Sequence, residues 1–210
     1  MQPNSSPVVF DQRIRIRAFW LVSPFFVALV LLTHPVWVAG GFLDVAIRMT
    51  GLAAILACIF GRAWCALHVG GRKNRQLVTD GPYAYTRNPL YLFSAIGAGG
   101  VGLCFGSLVL GAVLFAAVAV AFHFVIAREE PTLRRLFGDA FEAYRNRVPR
   151  FWLKLRVPSR SERDAVITTS ANALRRTVRD ASWLLAAVPI AAAVHWAHAI
   201  GGNVPTLPLP

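Results

Sequence analysis

Residues 89–130 read PLYLFSAIGAGGVGLCFGSLVLGAVLFAAVAVAFHFVIAREE, and this stretch decides the fold. It contains no formally charged residue from Leu92 to Ala127. As one helix rising about 1.5 Å per residue, that run would be far longer than a hydrocarbon core about 30 Å thick. The sequence therefore predicts a helical hairpin over 89–127. Its tip is expected at 102–107, where two glycines and a serine permit a turn.

Four glycines crowd the first half of this hairpin, between Gly97 and Gly102. Their spacing matches the GxGxxG pattern of dinucleotide-binding loops, which follows a strand and opens a helix. Here the pattern lies inside an apolar run with no preceding strand. It therefore indicates close helix packing.

The whole chain is as apolar as its central stretch. It has 210 residues, of which 56% are hydrophobic and 15% charged, with a mean hydropathy of +0.51. Further apolar runs occur at about 19–39, 42–66 and 181–200, each close to the roughly 20 residues of a spanning helix. We predict an all-α integral membrane protein in one domain, 1–210, with about five transmembrane helices including the hairpin.

The basic residues predict the orientation in the bilayer. Lys and Arg number 22 against 10 acidic residues, a net charge of +12, and all except Arg48 lie at 13–17, 62–87 or 128–179. Basic loops beside apolar spans mark the cytoplasmic side, which places the N-terminus inside and the C-terminal tail outside. No basic nucleic-acid motif accompanies the charge, so the lipid bilayer is the expected partner and nucleic acid is not. The run at 19–39 is long enough to be retained as a helix, unlike a cleaved signal peptide.

Polar features flank these spans. Arg48 follows Asp44 by four residues, which predicts an ion pair at the membrane boundary. Residues 131–147 have apolar side chains on one face of a helix and charged side chains on the other. This pattern predicts an amphipathic helix that lies along the cytoplasmic membrane surface. Residues 151–210 are predicted to hold a polar surface segment and the last span.

The sequence gives no sign of a metal site. Cys58, Cys65 and Cys104 lie in or beside apolar stretches and form neither a disulfide framework nor a CxxC motif, so they are interpreted as packing residues. His195 and His198 have ligand-like spacing on the last span. They lack a third ligand, and no metal is predicted.

The segment before the hairpin carries the first candidate functional residues. Asn88 followed by Pro89 predicts a helix start, with Asn as the cap and Pro at the first helical position. The free N–H groups of such a start, next to Arg87, favour an anionic group such as the carboxylate of an amino-acid-like cofactor. The alternative is a plain helix cap beside a snorkelling arginine and interfacial tyrosines.

A pair of carboxylates follows the hairpin. Glu129 and Glu130 stand directly before Pro131. Adjacent carboxylates at the end of a membrane helix are costly unless a cation or polar ligand meets them, so a cationic partner is predicted. The alternative is an interfacial ion pair with Arg128 or Arg134.

Together these motifs resemble the isoprenylcysteine carboxyl methyltransferases and their bacterial relatives, a superfamily shared with the phospholipid N-methyltransferases. The resemblance covers a core at roughly 75–150. Two positions depart from the family pattern, because Arg75 and Asn88 stand where histidines are usual. The positions that match in order are Leu77-Val78, Gly81, Tyr83, Arg87, Pro89, Tyr91, Glu129-Glu130, Phe137-Gly138, Tyr144 and Val148-Pro149.

The resemblance implies an enzyme of the inner bacterial membrane that transfers a methyl group from S-adenosylmethionine (SAM) to a lipophilic or lipidated acceptor. It implies Arg87, Glu129 and Glu130 as catalytic residues. Residues 124–127 lack the arginine by which the eukaryotic enzymes meet the prenylcysteine carboxylate. The implied cofactor-binding residues are Gln76, Leu77, Val78, Tyr83, Asn88, Pro89, Tyr91, Glu129 and Glu130.

Two other functions remain open from the sequence. An NADPH-dependent membrane reductase of the sterol reductase type has a similar Arg-His-Pro-x-Tyr segment, although the double glutamate argues against it. A membrane scaffold without enzymatic activity would use the same motif only as an interfacial anchor.

Overall fold

The computed structural model describes residues 33–35, 37–38, 40–69, 76–154, 171–200 and 207–209. Nearly all of these residues are helical, as predicted. The helices are α1 (Phe42–Val69), α2 (Pro89–Cys104), α3 (Leu108–Arg147), α4 (Ala171–Ser182) and α5 (Ala187–Ile200), with short 3₁₀ turns at Gly81–Ala84 and Trp183–Ala186. The strands among the described residues form one parallel pair of three residues each, β1 (Thr33–Pro35) and β2 (Leu207–Leu209), and the remaining described residues are turns and connections.

The predicted hairpin is confirmed. Helix α2 ends at Cys104, and Gly106 turns the chain with φ of +79°, a value that favours glycine. Ser107 then caps α3, because its side chain accepts a hydrogen bond from the backbone N–H of Leu110 at 3.1 Å. The tip therefore lies within the predicted 102–107 and consists of residues 105–107.

The glycines of α2 allow three helices to pack closely, as predicted. A Cβ on Gly100 would lie 2.7 Å from the carbonyl oxygen of Gly51 in α1. A Cβ on Gly102 would overlap the backbone of Leu110 and Gly111 in α3. Two faces of α2 are thus in backbone contact, one with each neighbour, and this contact fixes where the start of α2 lies.

We expect Gly102→Ala to lower the free energy of unfolding by about 1–2 kcal/mol, because one methyl group must be accommodated between two backbones. Gly99→Ala is the matched control in the same helix, since its added Cβ would come no closer than 3.2 Å, to the Phe115 side chain. Thermal unfolding of the detergent-purified variants measures the difference. Equal stability of the two variants would contradict the close α2–α3 contact.

The count of five spans is not confirmed. Within the described residues, three helices are long and apolar enough to cross a membrane, namely Phe42–Val69, Leu108–Arg147 and Ala171–Ala197, and Pro89–Cys104 is a shorter apolar helix. Most of the predicted first span, 19–39, lies outside the described residues. Its end is not helical, because Thr33–Pro35 pairs with Leu207–Leu209 as a strand.

The prediction of a separate amphipathic helix at 131–147 was wrong in its boundary. Helix α3 continues through Pro131, and the regular backbone is interrupted instead at Gly138, with φ of +50° and ψ of −127°. A proline inside a helix removes one donor and crowds one carbonyl. The conformation at Gly138 is one that residues with a Cβ rarely adopt. The direction of the chain therefore changes seven residues later than the sequence indicated.

The last helices pack on α1 and α2. A buried cluster joins Ile55, Ile59, Cys104, Ala181, Ala187 and Ala191. The predicted pair is confirmed, because Arg48 Nε donates to Asp44 Oδ1 at 2.7 Å, and Arg48 also donates to the carbonyl oxygen of Cys104 at 3.0 Å. All three cysteines are buried, in agreement with a packing role.

Candidate active site

The site is built around the segment 80–88, which connects α1 to α2. This segment lies against the chain that follows α3, residues 148–154. Hydrogen bonds join the two: Arg87 N to Pro149 O at 2.9 Å, Lys154 N to Tyr85 O at 3.0 Å, Asn88 Nδ2 to Arg150 O at 2.8 Å, and Thr86 Oγ1 to Phe151 O at 3.1 Å and to Arg150 O at 3.5 Å. Residues far apart in sequence are thereby fixed at the start of α2.

An apolar cluster supports this contact from the end of α3. Phe141, Tyr144 and Val148 are buried, and Leu77 packs against them. The hydroxyl of Tyr144 donates to the backbone carbonyl of Tyr83 at 2.8 Å. The apolar side chains of α3 after Gly138 therefore pack against the 80–88 segment.

Glu130 binds two arginines. Its Oε1 lies 3.3 Å from Arg87 Nη2 and accepts a hydrogen bond from Arg150 Nε at 3.1 Å, and its Oε2 accepts from Arg150 Nη2. Both cations are arginines of the chain itself, so a cationic ligand at the two glutamates stays a prediction. The partners are neither Arg128 nor Arg134, because Arg134 pairs with Glu142 instead at 2.5 Å. This carboxylate is thus shared between the two segments that the hydrogen bonds above hold together.

The two arginines differ in their surroundings. Burial lowers the pKa of the Arg87 guanidinium, which the Glu130 carboxylate opposes. The hydrogen bonds that Arg150 donates to Glu130 raise the pKa of Arg150, whose side chain is more exposed. Both carry a full positive charge at neutral pH because an arginine is protonated throughout that range.

Arg87 retains free hydrogen-bonding capacity. Only 10% of its side chain is exposed, and its Nε and Nη1 are buried with no hydrogen-bond partner among the described residues. An unsatisfied buried donor costs about 1–3 kcal/mol. Such donors mark a position where a ligand oxygen would be stabilised.

Glu129 has different contacts from its neighbour. The hydroxyl of Tyr91 lies 3.0 Å from both of its carboxylate oxygens. The Tyr91 ring stacks on Phe122 of α3, with ring centroids 4.5 Å apart. Burial raises the pKa of the nearby Tyr83 phenol well above its usual range. Glu129 is exposed, and no arginine among the described residues pairs with it.

Helix α2 begins at Pro89, as predicted, with Asn88 at the cap position. The Asn88 side chain does not cap the helix, however. Its amide donates to the carbonyl of Arg150 instead, so the cap prediction for this side chain was wrong. The bond from Nδ2 to the 148–154 segment holds the side chain in an orientation in which its Oδ1 makes no capping bond.

The structure thus brings five of the predicted site residues to the start of the hairpin: Tyr83, Arg87, Tyr91, Glu129 and Glu130. Pro89 is fully buried as the first residue of α2. Gln76 is exposed, while Leu77 and Val78 are half-buried. Leu77 contacts the supporting cluster, and none of these three makes a described hydrogen bond to Glu129 or Glu130.

An open cleft of about 380 Å³ lies beside Glu130, between the two parts of α3. This volume falls in the range of small-molecule sites, about 300–1,000 Å³. The cleft shares Glu130 with the ion-pair cluster but does not include Tyr91 or Glu129. Its lining is Ala127, Glu130, Pro131, Arg134, Arg135, Phe141, Glu142 and Arg145.

Arg150 was missed by the sequence reasoning. It follows Val148-Pro149, the last matching motif, and lies 20 residues from Glu130 along the chain. Only the turn of the chain at Gly138 brings it back to the carboxylate. The available signal was its place directly after Val148-Pro149, the last matching motif.

Among the described residues, no group of three or more His, Cys, Asp and Glu side chains is placed to hold a metal ion. The two histidines of the last span were not interpreted as ligands. His195 Nδ1 lies 3.5 Å from Arg48 Nη2, an arrangement in which a cation already occupies the neighbourhood of the ring.

Comparisons with known proteins relate the chain to methyltransferases and to bacterial metal-resistance proteins. The phospholipid methyltransferase family matches residues 41–140. The protein-S-isoprenylcysteine O-methyltransferase of Schizosaccharomyces pombe is 42% identical over 78 residues, which cover 37% of this chain and 33% of that protein. The cobalt-zinc-cadmium resistance protein CzcN of Cupriavidus metallidurans is 34% identical, over 84% of this chain and 79% of the relative. The nickel-cobalt-cadmium resistance protein NccN of Alcaligenes xylosoxydans xylosoxydans is 33% identical, over 85% and 82%.

No solved structure matches the chain. The family match spans α1, the hairpin and the first part of the chain beyond it, which are the elements that carry Arg87, Glu129 and Glu130. The long apolar helices agree with an integral membrane protein. The chain therefore belongs to the same family as CzcN and NccN, and its residues 41–140 match the phospholipid methyltransferase family.

Proposed function

We propose that this protein is a SAM-dependent methyltransferase that acts on a lipophilic acceptor at the cytoplasmic face of the bacterial inner membrane. The observation that carries the proposal is the cluster at the start of the hairpin. There Arg87 has two buried donors without a partner among the described residues, and Glu129 is an exposed carboxylate hydrogen-bonded to Tyr91. An amino-acid-like cofactor offers one carboxylate and one ammonium to such a pair.

The residues fit the parts of SAM. One of the two donors of Arg87 that have no partner among the described residues, Nε or Nη1, would bind its carboxylate, since a charge-assisted hydrogen bond to a guanidinium is strong. Glu129 would bind the ammonium. Glu130 is already paired with two arginines, so its proposed role is to hold Arg87 and Arg150 in place. Tyr91 and Phe122, with their stacked rings, offer an aromatic surface to the adenine or the sulfonium.

The bound cofactor supplies an activated methyl group, and its transfer is a direct in-line displacement. The protein needs no metal for this. Arg87 and Glu129 fix the donor, and positioning of this kind supplies much of the rate in two-substrate reactions. The hairpin excludes water from the reacting centre. It also lets a lipid-soluble acceptor enter sideways from the bilayer, while the cofactor arrives from the cytoplasm.

The two bacterial relatives are named for resistance to cobalt, zinc, cadmium and nickel. We include in the proposal that this chain contributes to metal resistance by methylating an acceptor in the cell envelope. The metal itself is not the expected ligand of the site, whose donors are arginines, tyrosines and two carboxylates.

The test is methyl transfer from labelled SAM into membrane extracts by the detergent-purified full-length protein. We expect a labelled lipophilic product with wild type and a strong loss with Glu129→Gln. Arg176→Gln is the control, because Arg176 is exposed on α4 and lies outside the site. No labelled product with wild type, or full activity of Glu129→Gln, would contradict the proposal.

The proposed orientation can be tested by cysteine labelling. Gln76 is exposed at the site end of the protein, and Val38 is exposed at 82% near the other end of α1. A membrane-impermeant maleimide is expected to label Val38→Cys in intact spheroplasts, and Gln76→Cys only after the membrane is opened. The three native cysteines are buried, so background labelling should be low. Labelling of Gln76→Cys in intact spheroplasts would contradict the proposed orientation.

A further inference from the structure

His123 is the one histidine in the uncharged run from Leu92 to Ala127. It lies five residues before Arg128, the first charged residue beyond that run, which is about 7–8 Å along a helix. Its side chain is exposed on α3. Its ring meets the ring of Phe124 edge to face, with centroids 6.0 Å apart, and makes no hydrogen bond or ion pair with the described residues. The ring nitrogens are therefore available to a ligand.

A titratable side chain at this depth needs a physical reason. Ionisable residues in membrane spans usually pair with one another or line the path of a substrate or ion. His123 has no such pair within the described part of the chain, and its exposure means that it does not fill the core. The position therefore favours contact with a molecule that comes from the bilayer.

His123 lies on the face of α3 that forms the cleft beside Glu130. Ala127, Glu130 and Arg134 line the cleft from this face. They follow His123 by four, seven and eleven positions, spacings that share one face of a helix. The helix is regular over this stretch, because its backbone is interrupted only at Gly138. His123 is thus one turn beyond Ala127, at the mouth of the cleft towards the bilayer.

The surface proposed for the methyl donor lies next to the same position. Phe122, the residue before His123, stacks on Tyr91 with ring centroids 4.5 Å apart. The Tyr91 hydroxyl in turn contacts Glu129. An amphiphile with its chain in the bilayer and its polar end at the mouth of the cleft would therefore meet both the imidazole and the proposed methyl donor.

We propose that His123 accepts the proton of the acceptor during methyl transfer, and that the acceptor reaches it from the bilayer at the mouth of the cleft. The inference rests on the proposed methyltransferase function. It adds a catalytic residue, and it restricts the acceptor to an amphiphile whose attacking atom carries a proton, as a hydroxyl, thiol or amine does.

The bonds and charges balance in one step. An electron pair of the attacking atom forms the bond to the methyl carbon, while the carbon–sulfur bond breaks and its electron pair stays on the sulfur of S-adenosylhomocysteine. The bond from the attacking atom to hydrogen breaks, and the proton alone passes to a ring nitrogen of His123. Histidine suits this role because it takes up and releases a proton close to neutral pH.

The other groups around the cleft do not take up this proton so readily. The carboxylates that line it are paired with arginines, and arginine stays charged across neutral pH. Helix α2, which packs on this part of α3, contributes Tyr91 and Cys104 as its titratable residues, and Cys104 lies at the hairpin tip. The charged residues that share the cleft face with His123 or lie opposite it are Glu130, Arg134, Arg135, Glu142 and Arg145.

The test is methyl transfer from labelled SAM into membrane extracts by the detergent-purified full-length protein, measured between about pH 5 and 8. The wild-type rate should fall as the pH is lowered, because a protonated imidazole cannot accept a second proton. His123→Ala should lower the rate at the upper end of this range about a hundredfold, a usual contribution of general-base catalysis, and should remove the pH dependence. Added imidazole should restore part of the lost rate, since the position is exposed.

Val120→Ala is the matched control, because Val120 is an exposed residue of the same helix that cannot titrate. It should keep the wild-type rate and pH dependence. A wild-type rate in His123→Ala would overturn the proposal, and so would a loss that added imidazole does not restore.

The labelled product tests the acceptor class without any variant. Mild alkali should leave the product intact, because methyl ethers, thioethers and amines resist it. Release of labelled methanol would identify a methyl ester, whose carboxylate acceptor has no proton to lose, and would overturn the proposal. S-adenosylhomocysteine should stabilise wild type and His123→Ala equally. A wild type that gives no labelled product and no such stabilisation would contradict the methyltransferase function itself, whereas the other outcomes contradict the role of His123 alone.

Discussion

Replacing Glu130 with glutamine is expected to destabilise the protein and to abolish methyl transfer. Glu130 is the shared partner of Arg87 and Arg150, and 15% of its side chain is exposed. The glutamine keeps the shape but leaves two neighbouring guanidinium groups without a counter-charge. Removing one partner of a buried ion pair costs about 3 kcal/mol or more. We expect a loss of about that size in the free energy of unfolding, measured by thermal or denaturant unfolding in detergent.

Glu142 provides a matched control for this effect. It also pairs with two arginines, Arg134 and Arg145, but all three side chains are substantially exposed. Exposed ion pairs contribute little to stability, so Glu142→Gln should leave the unfolding transition unchanged. A stability of Glu130→Gln equal to that of Glu142→Gln would show that Glu130 does not hold the 80–88 and 148–154 segments together.

Arg87→Lys is expected to lose most of the activity while the protein stays folded. Lysine keeps the positive charge near Glu130, but it lacks the guanidinium whose Nε and Nη1 have no partner among the described residues. The loss of a charge-assisted bond to the cofactor carboxylate should cost about 1.5–3 kcal/mol, or about tenfold to a hundredfold in methyl transfer. The measurement is the rate with an identified acceptor, together with SAM affinity.

Arg128→Lys is the control for Arg87→Lys. Arg128 is exposed, one residue before the glutamate pair, and is assigned no contact with the cofactor. Its replacement should leave rate and affinity at the wild-type level. Methyl transfer at near wild-type rate in Arg87→Lys would return Arg87 to the alternative of a membrane-surface anchor.

The sequence predicted those features that depend on local chemistry. The hairpin follows from an uncharged run too long for one span, and its tip from Gly106 and Ser107. The start of α2 follows from Asn88 and Pro89, and the pair of Asp44 and Arg48 from their spacing of four. Each of these is decided within a few residues, where backbone and side-chain preferences act directly.

The features that the sequence did not predict depend on contacts between distant segments. The side chain of Asn88 was expected to cap α2. Its Nδ2 donates instead to the carbonyl of Arg150, 62 residues later. The second cation at Glu130 is Arg150 for the same reason. Both contacts require the change of direction at Gly138. No local sequence pattern predicted the backbone conformation of this residue. The Pro131 boundary was favoured because prolines usually end helices, yet one missing donor did not end α3.

The different contacts of the two glutamates were also visible only in the structure. Adjacent carboxylates at 129 and 130 look equivalent in the sequence. On α3 they project in different directions, so that Glu130 meets the arginines and Glu129 meets Tyr91. The proposed roles of a structural counter-charge and a ligand for the cofactor ammonium follow from those contacts.

The central claim, that the cluster at the start of the hairpin binds SAM, is tested most directly by ligand-dependent stabilisation of the detergent-purified full-length protein. S-adenosylhomocysteine at a hundredfold excess over its dissociation constant should add about 2.7 kcal/mol to the free energy of unfolding. The account predicts this stabilisation for wild type, a clear reduction for Glu129→Gln, and none from NADPH. Stabilisation by NADPH without any effect of S-adenosylhomocysteine would contradict it and favour a membrane reductase.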